Sequence, residues 1–173
     1  NIGRVNLLPN FIGYFIIGSG ILKIREGFEH EAFKKACGIA YFLTAYSLIL
    51  SALNVIGANA PIGNHMEYKS VLSIGVGLFS ASLDLIMGFS AFSGTIALYL
   101  HKERPEEADL TEKSQRKYTV LSVAALILML LAINISGELY YAFVLFYGIC
   151  VRIYFAYIIS RIKNSFNEDL MES

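Results

Sequence analysis

Apolar residues fall into long runs separated by short charged or turn-rich connections. Two of these, 38–57 and 118–135, are uncharged stretches of the length that crosses a hydrocarbon core of about 30 Å, and 138–163 continues in the same vein, with Arg152 well inside it and Glu138, Arg161 and Lys163 at its ends. The longest run, 68–102, would measure on the order of 50 Å as a helix, so it must tilt, project beyond the bilayer, or break at Gly75, Gly77 or Gly88. A shorter run, 7–24, is glycine-rich and has a modest amphipathic split, which fits either a tilted span or a helix embedded in one leaflet. Residues 25–37 read as an amphipathic surface helix with Phe28, Ala32 and Ala36 on one side, lying on the membrane or leading into the next helix. The pattern predicts an all-α integral membrane bundle of four to five transmembrane helices, forming a single membrane domain with the N-terminal helix embedded or re-entrant at its edge.

Within the longest run, Gly77, Ala81, Asp84, Gly88, Ala91 and Thr95 recur at alternating steps of four and three, a single stripe of a helix. Helices associate in lipid through close backbone approach, so this stripe is expected to face protein. Asp84 lies on it, and an acid at mid-bilayer costs about 2.5–3.5 kcal/mol on insertion scales, so it needs a polar partner or water.

Composition agrees with the pattern: 55% of residues are hydrophobic and 16% charged, with charges gathered between the apolar runs, which excludes an ordinary water-soluble domain. The formal net charge of zero conceals a strong asymmetry. Lys23, Arg25, Lys34 and Lys35 follow the first run, only Lys69 follows the second, and Lys102, Arg104, Lys113, Arg116 and Lys117 follow the third. The connection after the fourth run has no basic residue, and the tail has Arg161 and Lys163. The positive-inside rule then puts the first and third connections and the C-terminus in the cytoplasm. This fits five spans with the N-terminus outside and four spans plus a leaflet-embedded first helix equally well. Basic residues follow the first run rather than precede it, and no small-residue cleavage site comes after, which argues against a cleaved leader.

The residues Leu7, Leu8, Pro9, Asn10, Phe11, Ile12, Gly13 and Tyr14, closing on Gly20, Ile21, Leu22 and Lys23, resemble an N-terminal LLPxFIGY signature of uncharacterised small polytopic bacterial membrane proteins. The resemblance covers about the first 25 residues. It implies a bacterial plasma membrane and brings no activity with it.

Candidate chemistry is sparse. Counting helical rise from the inner ends places Asn54, Asp84 and Asn134 at a shared height of about 25–27 Å, with Glu138 just above. The expectation is a polar layer in which Asn54 and Asn134 hydrogen-bond Asp84, acting either as interhelical glue or as a substrate or ion site. Arg152 counts to about 14 Å above Arg161, too low for a direct pair with Asp84 unless the long helix tilts or breaks. It is expected instead to snorkel or to pack among Tyr147, Tyr154 and Tyr157, where it suits an anionic headgroup or substrate.

His30, His65 and His101 lie in separate segments, and Cys37 and Cys150 have no paired spacing, so no metal, cofactor or disulfide is expected. Ser93 sits in a Phe-Ser-Gly turn like that of intramembrane serine proteases, but Ala91 replaces the glycine and no later span carries a histidine. No catalytic residue or nucleic-acid surface is indicated. The expected function is a non-enzymatic small membrane protein that binds or transports a small solute or ion around Asp84. The alternatives are a structural or regulatory subunit of a larger membrane complex and, below it, a lipid-acting enzyme. Expected partners are the lipid bilayer together with a membrane protein or a second copy of the chain.

Overall fold

The computed structural model describes residues 10–55, 71–131, 134, 135 and 137–172, with side chains over 11–52, 75–131, 134, 135, 137, 139, 140 and 142–162. Pro9, the loop around Pro61, Tyr68 and the side chains of Asn54, Glu138 and Tyr141 lie outside the described residues. The described chain is all-helical: α1 is Asn10–Gly27, α2 Glu31–Val55, α3 Val71–His101, α4 Pro105–Leu131 and α5 Glu138–Glu172. Helices α2 to α5 are long and apolar enough to cross a membrane. In α1 the uncharged stretch before Lys23 amounts to about 20 Å, short of the hydrocarbon thickness.

Each helix packs against the next in sequence. Phe28, in the α1–α2 connection, stacks on His30 at 5.8 Å between ring centroids and meets His101 at the end of α3 at 5.1 Å. These contacts bring the first and third connections to the same end of the bundle. The helices therefore alternate in direction, as the charge asymmetry requires.

Several boundaries fall elsewhere than hydropathy places them. The amphipathic stretch 25–37 is divided between the end of α1 and the start of α2, and α2 then runs unbroken into its apolar part. His30 makes the division: its Nδ1 accepts the Ala32 N–H at 3.2 Å and its carbonyl accepts the Phe33 N–H at 3.0 Å, capping α2. The hydrophilic stretch 101–117 shrinks to a three-residue connection, because Pro105 opens α4 instead of only ending α3. Helix α3 is continuous from Val71 to His101, with no break at its glycines.

The α3–α4 connection closes through Glu103, a non-glycine residue with φ of 58°. The Arg104 N–H reaches the Tyr99 carbonyl at 2.9 Å and the Glu103 N–H reaches Leu100 at 3.2 Å, the paired bonds of a Schellman cap. A left-handed conformation costs a side-chain-bearing residue about 1 kcal/mol. Glu103→Gly is therefore expected to raise stability by roughly that amount, seen as a higher thermal midpoint in detergent.

The core has three adjoining clusters. One joins Ile21, Phe33, Ala36, Cys37, Ala91 and Leu98; a second joins Tyr14, Ala40, Leu43 and Met87; the third joins Phe92, Tyr118, Val151, Phe155, Ile158 and Ile162. Ile17 packs against all three, while α1 lies chiefly against α2 with Phe15 and Ile16 exposed, so it joins the bundle at its edge with one face turned inward.

Candidate functional site

The small-residue stripe of α3 faces protein, as close packing in lipid demands: Gly88, Ala91 and Thr95 are buried. A Cβ added at Gly88 would lie 2.5–2.7 Å from the Tyr118 ring and hydroxyl, and one at Gly94 would lie 2.7 Å from Phe33. These glycines are seats for aromatic side chains of α4 and α2.

Helix α4 answers with a polar stripe. Ala108, Thr111, Gln115, Tyr118 and Ser122 are its buried residues, spaced three and four apart on the face toward α3. The Gln115 amide donates to the Phe89 carbonyl at 3.0 Å and to Ser93 Oγ at 2.8 Å. The Tyr118 hydroxyl donates to the Asp84 carbonyl at 3.0 Å. Ser93 thus serves as a hydrogen-bond acceptor in a helix contact.

This seam leads to Asp84. The Arg152 guanidinium of α5 donates to Asp84 Oδ2 at 3.2 Å. Tyr14 of α1 is buried close enough to Asp84 and Arg152 for their charges to act on its hydroxyl. Four of the five helices therefore contribute to one place: Tyr14, Asp84, Tyr118 and Arg152. The Asp84 side chain is 20% exposed and that of Arg152 61%, so the acid is sheltered while the base opens outward. Among the described residues, Asp84 Oδ1 and Ser122 Oγ are buried without a hydrogen-bond partner.

The pair also fixes relative heights. Tyr118 stands directly after Arg116 and Lys117, both exposed, so Asp84 lies about one helical turn beyond the charged part of α4. Asn134 is an exposed turn residue 16 positions after Tyr118, about 24 Å further along the axis of α4. On α2, Leu43 and Ala40 pack with Met87, and Asn54 follows Leu43 by 11 positions, about 17 Å further on. Glu138 opens α5, 14 positions or about 21 Å before Arg152. The structure brings Asp84 to Arg152 and leaves Asn54, Asn134 and Glu138 toward the opposite end.

The shared level read from the sequence fails for one physical reason. Its count for α3 started at the helix end, but the last third of α3 packs alongside the first half of α4 and Phe33 of α2, so the charged residues of α4 reach along it to within about a turn of Asp84. The tyrosines expected around Arg152 are engaged elsewhere: Tyr147 donates to the Leu121 carbonyl at 3.3 Å, and it packs with Tyr154 against the Phe92–Tyr118 cluster.

Comparisons with protein-family models, curated proteins and solved structures find no match.

Proposed function

We propose that this is a multi-pass protein of a bacterial plasma membrane, C-terminus cytoplasmic, that binds and moves a small ionic solute at the Asp84–Arg152 pair. The supporting observation is an acid and a base in contact where four helices converge, sheltered on the acid's side and open on the base's. A charge within a span costs several kcal/mol if unpaired, and two such charges meeting among tyrosines mark a site that this cost is retained for. Asp84 and Arg152 then sit in the cytoplasmic leaflet, about one turn beyond the charged part of α4 and about 14 Å from Arg161 of α5. Helix α1 is embedded from the cytoplasmic side of the bundle and supplies Tyr14.

The alternative, a subunit of a larger membrane assembly, is favoured by one feature. Along α5, Leu139, Phe143, Phe146, Ile153 and Tyr157 are all exposed, and the helix packs chiefly on α4. Gentle purification followed by denaturation and mass spectrometry separates the two readings. The solute reading expects a small molecule released from the wild-type protein and missing from the Asp84→Asn/Arg152→Gln double variant at equal protein recovery. Release of nothing from either, with a large membrane protein copurifying equally with both, overturns it in favour of the assembly.

A further inference from the structure

Arg152 uses one contact of a fork that has five N–H donors. That contact, at 3.2 Å, is longer than the roughly 2.7–2.9 Å of a strong charge-assisted bond, and it is not bidentate. Asp84 is also left incomplete, since buried Oδ1 has no partner among the described residues. The pair is thus a loose clasp: a guanidinium with most of its donors turned outward, held by a carboxylate whose other oxygen is unsatisfied.

The guanidinium side is open as well, since the Arg152 side chain is 61% exposed. The planar fork matches the oxygens of a carboxylate, sulfate or phosphate group.

Resting on the solute reading above, we propose that the ligand is an oxyanion, which replaces Asp84 on Arg152 while Asp84 takes up one proton from water. The proton follows from charge balance. The resting pair is neutral, and an added anion would leave a net negative charge in a low-dielectric layer. Protonation of the displaced carboxylate restores neutrality. No covalent bond other than this O–H forms or breaks. The groups facing Asp84 are Tyr14 from α1, Tyr118 from α4 and Arg152 from α5, while α2 presents the uncharged Ala40 and Leu43 beside them. None of the three is an acid that would take the proton instead.

The test uses the full chain in detergent, titrated with sodium methanesulfonate and with sodium acetate, both monovalent anions between pH 6 and 8, while proton uptake is followed with a pH dye. The wild type is expected to take up about one proton per anion bound and to lose about tenfold in affinity per pH unit of increase. Asp84→Asn is expected to bind more tightly, with neither proton uptake nor pH dependence, a gain that misfolding cannot mimic. Arg152→Gln is expected to bind at least about tenfold more weakly, with Arg152→Lys in between.

Nanodiscs of phosphatidylcholine with and without phosphatidylglycerol distinguish the source. Stabilisation by the anionic lipid with no response to methanesulfonate or acetate assigns the site to a lipid phosphate, and response to the soluble anions assigns it to a free oxyanion. Binding that ignores both substitutions, a response to sodium or potassium only, or no response to any of these probes overturns the inference. A small molecule released from the wild type in the purification experiment, alongside such a failure, would leave the broader solute reading standing.

Discussion

Gly88→Ala is expected to destabilise the bundle by about 3 kcal/mol, at the upper end of what overpacking a filled core costs. The added methyl would enter the space of the Tyr118 ring at 2.5–2.7 Å. That ring cannot retreat: it packs against Phe92 at 5.5 Å and Phe155 at 5.1 Å, and its hydroxyl is tied to the Asp84 carbonyl. Relief would have to come from separating α3 from α4, which also breaks the Gln115 bonds one turn away. Gly20→Ala is the control, because a Cβ there meets nothing within 4 Å, and a mid-helix alanine gains about 0.5–1 kcal/mol over glycine. Thermal unfolding of both variants in one detergent should move their midpoints in opposite directions. Equal midpoints would mean that α3 and α4 do not approach as closely as described.

Arg152→Gln should cost about 2 kcal/mol, less than the 3–5 typical of a fully buried pair because Arg152 is 61% exposed. The loss arises from the partner left behind: Asp84 is sheltered, and its carboxylate would keep at most the tyrosine. Asp84→Asn should cost less, under about 1 kcal/mol, since the outward-facing guanidinium can reach toward headgroups or water. The double variant, with both charges gone, should recover most of the larger loss. A denaturant-based double-mutant cycle measures this directly, with an expected coupling of about 1–2 kcal/mol. Additive single effects would show that the two side chains do not interact across the α3–α5 gap.

The sequence pattern made the membrane-length helices and their alternating directions legible, because both depend on gross properties: run length, and where lysine and arginine collect. The site was only half legible. The cost of burying an acid singles out Asp84, and the same reasoning marks Arg152, yet their union was hidden by an assumption about where the lipid begins. Hydropathy alone cannot say that Ser90 to His101 run alongside the hydrophilic first half of α4, since those residues are apolar enough to meet lipid on every side. The missing signal lay in α4. Ala108, Thr111, Gln115, Tyr118 and Ser122 keep a helical three-and-four spacing straight through a stretch that reads as a hydrophilic connection. Small and amide-bearing residues at that spacing, beside exposed Asp109–Lys113 and Glu112–Arg116 pairs four apart, describe a water-facing helix with one packed side. Tyr14 left no comparable trace, since nothing in its neighbourhood shows that α1 would turn this side chain into the core.

Because α4 passes from its exposed ion pairs to its apolar half with no interruption, it forms a lever whose pivot is Tyr118. Its water-facing arm is about 20 Å long, so a tilt of about ten degrees at the clasp would swing the tip by about 3.5 Å. Any rearrangement at the clasp that tilts α4 would thereby be read out at its charged tip, well away from the clasp itself.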